Sequence, residues 1–279
     1  MDVLYIVGTP IGNLGDISQR ALETLRSVSF IAAEDTRVSL KLLTKFGIRK
    51  PLVSCREHNI REISEKIAER LAGGESCALV TDAGMPCISD PGAELVHLCR
   101  ERGLNIEVVP GPSALIAALS LSGFSQGRFS FEGFLSVNTK QRKERLAKIK
   151  DYDGLLIFYE APHKLIKTLA DLRDALGDRE TAVCRELTKI HEEVRRGSIS
   201  EMLDFYKANP PKGEFVLIIE GASEAESAAS AEDAVKRAAD LAGQGLKPAE
   251  ACKIAAKETG VSKSLIYKNL CSISEMNRF

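Results

Sequence analysis

Several absences narrow this sequence before any motif is read. No run approaches the ~18 consecutive apolar residues of a membrane helix, and with 44% hydrophobic and 28% charged residues the chain reads as soluble and globular. No basic region precedes the apolar stretch that begins within Met1 to Val7, so no secretory signal is expected and the cytosol is the expected compartment. The cysteines Cys55, Cys77, Cys87, Cys99, Cys184, Cys252 and Cys271 are seven in number and contain no CxxC pair; they read as reduced core residues, with no metal site expected. A net charge of -1 and a pI near 6.5 exclude a uniformly basic nucleic-acid coat, so any RNA contact must come from local patches. Neither GxGxxG nor a Gly-Lys-Ser/Thr loop is present, which leaves nucleotide phosphate binding unsupported, and there is no internal repeat.

What is present is alternation. Apolar runs rich in branched residues (4–7, 28–33, 52–54, 77–81, 106–109) alternate with helix-period stretches, such as Ile60, Ile63, Ile67 and Leu71 on one face, as expected of βαβ units and a mainly parallel sheet. A second α/β unit follows, with Phe129, Phe131 and Phe134 as buried strand positions, a basic helix over 140–150, a strand over 155–159, a helix opened by Pro162, and strands over 181–184 and 215–219. Residues 222–231, almost all Ala, Ser and Glu, read as a linker. Three short helical patterns come after it, over about 232–243, 248–259 and 262–270, the last two joined at Gly260 like a helix-turn-helix. The expected domains are 1–118, 119–222 and 223–279.

Three turns stand at strand C-terminal ends: Gly8 to Gly15, Asp82 to Pro86 and Pro110 to Ala114. Each is either a tight strand-to-helix connection or part of the crevice in which open α/β sheets bind ligands. With Ala33-Glu34-Asp35-Thr36-Arg37, Cys87-Ile88-Ser89-Asp90-Pro91-Gly92, Tyr159-Glu160-Ala161-Pro162-His163-Lys164 and Arg185-Glu186-Leu187-Thr188-Lys189, they resemble, in order over roughly residues 3 to 221, the small-subunit ribosomal RNA methyltransferases among the tetrapyrrole methylases.

That resemblance implies an α/β, two-domain tetrapyrrole-methylase-like fold with a small C-terminal helical domain, S-adenosylmethionine held between the two α/β domains, and a homodimer. It implies 2′-O-methylation of a cytidine ribose in the decoding region of 16S rRNA, within the small subunit. Carried over by motif, the donor would touch Pro10, Ala83, Gly84, Met85, Ile88, Ser113, Ala114, Tyr159 or Glu160, and Leu187. Met85 stands where many tetrapyrrole methylases carry the Asp of Gly-Asp-Pro, which argues against porphyrin-type activity.

Methyl transfer from a sulfonium needs alignment above all; a base for the weakly nucleophilic ribose hydroxyl would add to it. Glu160 and Lys189 are the catalytic candidates. Lys189 could instead bind phosphate and Glu160 position the donor's amine, while His58, His163 and His191 read more readily as surface or supporting residues. Asp35 and Arg37 form an ion-pair motif with structural and substrate-facing readings both open. The stretch 140–150 carries six basic residues against Glu144; it is either a solvated face or a phosphate contact through Arg142, Lys143, Arg145 and Lys148, extended by Arg195 and Arg196. The C-terminal helices, with Lys263, Tyr267 and Lys268, are a second RNA module, a dimer support or a cap. A tetrapyrrole methylase and a non-catalytic ribosome-assembly factor remain the competing functions.

Overall fold

The computed structural model describes residues 3–56, 59–125, 127–259 and 261–276, except for the side chains of 224–230 and 272–276. His58 and Gly260 lie outside the described residues. The chain divides into two compact units: Met1–Ser120 with Glu186–Glu193, and Leu121–Arg185 with Val194–Phe279.

In the first unit, strands β1 (Val3–Val7), β2 (Phe30–Ala33), β3 (Leu52–Ser54), β4 (Cys77–Val80) and β5 (Asn105–Val109) form a sheet of order β3-β2-β4-β1-β5 in which every neighbouring pair is parallel. Alternate residues of one strand feed two cores, as the strand period of two requires. Leu4, Ile6, Phe30, Ala32, Cys77 and Leu79 point to one face, where α3 (Ile60–Ala72) and α4 (Ala93–Glu101) add Ile67, Leu71, Leu95 and Cys99. Val7, Ile31, Ala33, Ala78 and Val80 point to the other, covered by α1 (Gln19–Ser27) and α2 (Thr36–Lys45) through Ala21, Leu25 and Leu43. Side-chain caps set where these helices start: Ser18 accepts from the Ala21 N–H at 3.1 Å and Asp35 from the Arg37 N–H at 2.8 Å. The connection leaving β1 runs to the α1 face and the one leaving β4 to the α4 face. Since β1 and β4 are neighbours, their C-terminal ends open the crevice of a doubly wound sheet. Helix α5 (Ala114–Ser122) follows β5.

The second unit has strands β6 (Phe129–Phe134), β7 (Leu155–Glu160), β8 (Glu180–Arg185), β9 (Glu193–Ser198) and β10 (Phe215–Ile219), in order β6-β7-β10-β8-β9. Helices α6 (Thr139–Ile149), α7 (Pro162–Leu176) and α8 (Ile199–Ala208) accompany them. Their core includes Leu146, Phe158, Leu165, Leu169, Leu203 and Leu217. This sheet corrects the expectation of parallel pairing: β6 and β7 are parallel, but β10 lies antiparallel to both β7 and β8. A run such as Phe215–Ile219, buried throughout, reports burial and not direction.

The aromatic positions of β6 are a second correction. Phe129 is 39% and Phe134 58% exposed, and Phe131 is only partly buried. β6 is an edge strand whose register shifts between Phe131 and Gly133, with Gly133 at φ 62°, and such a bulge re-aims the side chains beyond it.

The linker expected over 222–231 is helical from Glu224 onward: α9 (Glu224–Gly243), α10 (Pro248–Thr259) and α11 (Lys263–Met276) share an apolar core of Ala234, Val235, Ala238, Cys252, Ala255, Val261, Ile266 and Leu270. Alanine and glutamate are strong helix formers, and the composition that suggested a tether also suits a helix. No helix among the described residues is long and apolar enough to cross a membrane. Ala231→Pro removes a backbone donor inside α9 and should cost ~3 kcal/mol of stability in the C-terminal helices, read by circular dichroism on thermal unfolding; an unchanged melt would restore the linker.

Candidate active site

The three Gly/Pro turns of the first unit are joined to one another mainly by backbone. The Thr9 N–H donates to the Gly84 carbonyl at 2.9 Å, and the Gly84 N–H returns to the Thr9 carbonyl at 3.1 Å. The Thr9 hydroxyl adds a bond to the Thr81 carbonyl at 3.1 Å. On the other side the Gly8 N–H donates to the Val109 carbonyl at 3.0 Å, and the backbones of Gly8 and Gly111 meet so closely that a Cβ on Gly8 would lie 2.6 Å from the Gly111 Cα. Gly84 is required for a different reason: its surroundings would admit a Cβ, but its φ of 85° disfavours any side chain.

A fourth piece closes on the first turn. Residues 186–193 belong to this unit, and a Cβ on Gly12 would lie 2.5 Å from the Lys189 Cγ and 2.9 Å from the Leu187 carbonyl oxygen. Lys189 Nζ bonds Glu186 Oε1 at 2.9 Å with its side chain 30% exposed. Glu186 and Thr188 hold φ values of 51° and 64°, and Cys87 and Ser89 after β4 hold 71° and 64°. Left-handed backbone at non-glycine residues is costly and is retained where the surroundings impose it.

Pro10, Ala83, Gly84, Met85, Ile88, Ser113, Ala114 and Leu187 therefore belong to one set of connected turns. Pro10, Gly84 and Leu187 are buried, Met85, Ser113 and Ala114 half-buried, and Ala83 and Ile88 exposed. A cavity of about 240 Å³ opens between the first turn (Thr9, Pro10), α2 (Val38, Lys41) and the end of β4 (Thr81, Asp82). Of the expected donor residues only Pro10 lines it. The α2 contribution was not foreseen, because an amphipathic helix gives no sign of which strand end it flanks.

Acids gather at the ends of β2 and β4. Thr81 donates to Glu34 at 2.7 Å, and the Asp35 N–H donates to Asp82 at 3.1 Å. Burial raises the Asp82 carboxyl, and raises that of Asp90 to about 6 with Glu34 adding to the shift. Asp35 differs: hydrogen bonds from Arg37 hold its carboxyl well below the usual carboxylate range, while the Arg37 side chain is 81% exposed. Among the described residues no group of three or more His, Cys, Asp or Glu is disposed to hold a metal ion, and the seven cysteines are free.

The second unit places the remaining expected site residues as follows. Glu160, 4% exposed, accepts from the Ala161 N–H at 2.8 Å and from the Thr168 hydroxyl. These bonds tie the Glu160 carboxylate to the β7–α7 turn. Arg142, expected to face phosphates, is 5% exposed; it bonds Asp171 through Nε and donates to Thr168 at 2.7 Å. The helical period puts Arg142 on the same inward face as Leu146 and Ile149. Arg145 pairs with Glu132, whose side chain is fully buried. Lys143 and Lys148 are exposed and pair with no carboxylate among the described residues. Arg195 stacks over Phe205 at 3.8 Å, and Arg196, exposed, lies 4.5 Å over Phe124 and donates to the Gly123 carbonyl. Tyr159 is half-buried beside Phe131 and Phe134; His163 and His191 are exposed.

Gly111→Ala forces a methyl group against the Gly8 backbone and should cost about 1 to 3 kcal/mol, measured by denaturant unfolding. Gly127→Ala, with nothing within 4 Å, should be neutral, and equal effects would remove the close approach as the cause. For Asp90, folding raises the pKa, so the protonated form is favoured in the folded state. That contribution is complete below about pH 4 and is lost as pH rises through about 6. Asp90→Asn should match wild type in melting temperature near pH 4 and gain on it up to a plateau above pH 6; a pH-independent difference would refute the assignment.

With this geometry in place, the comparisons are specific. Residues 3–203 match the family model of the Tetrapyrrole (Corrin/Porphyrin) Methylases. The ribosomal RNA small subunit methyltransferase I of Pseudomonas aeruginosa is 46% identical over 270 residues, covering 95% of each chain. The relative of the same name from Thermotoga maritima is 46% identical over 221 residues, which are 79% of this chain and 99% of that one. Among solved structures, a diphthine synthase superposes with a TM-score of 0.61 at 16% identity, over 78% of this chain and 89% of that one, a likeness of fold alone. The chain belongs to the tetrapyrrole methylases and is an S-adenosylmethionine-dependent methyltransferase.

Proposed function

We propose that this protein methylates the ribose 2′-hydroxyl of a cytidine in the decoding region of 16S rRNA, working on the small ribosomal subunit in the cytoplasm as a homodimer. The observation that carries the reading is the likeness over 95% of both chains to a relative named for small-subunit rRNA methylation. The Thermotoga relative of the same name aligns over 79% of this chain, so the C-terminal helices are assigned to support rather than chemistry.

The donor fits the turns of the first unit. S-adenosylmethionine supplies an electrophilic methyl on a cationic sulfonium, and Glu34, Asp82 and Asp90 gather negative charge at the ends of β2 and β4. Pro10, Ala83, Gly84, Met85, Ile88, Ser113, Ala114 and Leu187 line its site, where small residues let backbone approach the ligand; Tyr159 is kept in the set on its motif. Holding acceptor and donor in line supplies much of the acceleration, ~7 to 11 kcal/mol. Lys189, anchored by Glu186, holds the acceptor's hydroxyl or an adjacent phosphate, and Glu160 orders the β7–α7 turn. The outward lysines of α6 contact phosphates, whereas Arg142 and Arg145 are committed to carboxylates of the fold.

The test is methyl transfer from labelled donor to naked 16S rRNA, small subunits and a tetrapyrrole in parallel. Label should enter the RNA of the small subunit at a 2′-oxygen; label in the tetrapyrrole instead would overturn the reading. In the same system, Lys143→Gln with Lys148→Gln should flatten the slope of log affinity against log salt by about 1.4 to 1.8 and leave donor affinity unchanged.

A further inference from the structure

The exposed aromatic edge of β6 is unexplained by donor binding. Phe134 is 58% exposed at the end of an edge strand, and Val137, three residues on, is 79% exposed. Phe134 meets Tyr159 edge to face at a centroid distance of 5.7 Å, and Tyr159 meets Phe131 in the same manner at 4.9 Å. Such a contact occupies an edge or one face of the ring and leaves at least one face of Phe134 open.

Cations follow this ring closely in sequence. The turn 135–138 leads directly into α6, whose first residues are held by the Asn138 cap on the N–H groups of Lys140 and Gln141. Lys140 and Lys143 are exposed. The fully buried Glu132 carboxylate, two residues before Phe134, accepts from Ser130 and Arg145, which fixes α6 against the strand that carries the ring. The strand that carries the ring and the helix that carries the lysines are thus held together. The exposed Phe129, Phe134 and Val137 are too few for a stable protein interface of ~800 Å² per partner, but an open ring face on a strand tied to a lysine-bearing helix is suited to single-stranded nucleic acid.

We propose that Phe134, backed by Tyr159, stacks an unpaired nucleobase of a single-stranded rRNA segment, while Lys140 and Lys143 hold the flanking phosphates. The subsite rests on the rRNA reading above and specifies the form of RNA recognised, an unstacked base in a single-stranded region and not a duplex.

Two probes test it: a short single-stranded RNA carrying 2-aminopurine, whose fluorescence is quenched by stacking, and isolated small subunits. Wild type should quench the oligonucleotide and bind the same sequence more weakly as a duplex. Phe134→Ala should lose the quenching and weaken binding to both probes by about fivefold to 150-fold with an unchanged salt slope. Phe134→Trp should retain both. Lys140→Gln with Lys143→Gln should flatten the slope yet keep the quenching. If Phe134→Ala melts early, Phe134→Leu, apolar but without a ring, gives the same comparison. The subsite is overturned if wild type does not quench, if it prefers the duplex, or if the ring-less variants bind both probes as tightly as wild type. A wild type that methylates small subunits while these results fail loses only the subsite; one that methylates no rRNA loses the function as well.

Discussion

Two alpha carbons that cannot carry side chains hold the working end of the first sheet together. Gly8 and Gly111 meet backbone to backbone, which brings the exits of β1 and β5 into contact. The reciprocal Thr9–Gly84 bonds then tie in the exit of β4. Because β1 and β4 send their helices to opposite faces, these exits would otherwise diverge; the backbone contacts make them one surface. The strained backbone at Cys87, Ser89, Glu186 and Thr188 borders that surface, and the segment containing Leu187 and Lys189 packs on Gly12 within it. Most of the residues expected to touch the donor are gathered by this single constraint.

The second unit is organised around buried charge. Arg142, Thr168, Glu160 and Asp171 form a chain of hydrogen bonds that joins α6, α7 and the end of β7, and Glu132 with Arg145 joins α6 to β6. Buried ions of this kind seldom add much net stability, but removing one partner is costly. The basic helix consequently has two faces of different purpose. Its arginines at 142 and 145 anchor it to the fold, and its exposed lysines carry the charge that remains available to a polyanion.

The alternation of strand and helix, the capped starts of α1 and α2, and the Gly/Pro turns were legible because each depends on neighbours in sequence. The turns also marked where the strands end, since proline and glycine interrupt a strand there. What stayed hidden depends on pairing at a distance. The antiparallel direction of β10 leaves no trace in an all-apolar run, and the bulge that turns Phe134 outward is visible only against β7. Arg142 looked like its basic neighbours until the phase of α6 set it beside Leu146, and nothing local signalled that 186–193 would join the first unit. Family likeness supplied the donor and the substrate class, which composition and spacing did not.

Helix α9 changes what the segment after β10 can do. A tether of Ala, Ser and Glu would absorb an added or lost residue without effect, whereas a helix of 20 residues is a rod about 30 Å long. One inserted residue near its start would advance everything beyond it by about 1.5 Å and turn it by about 100° around the axis. The three C-terminal helices share one apolar core, so such an insertion would re-aim them together as one body.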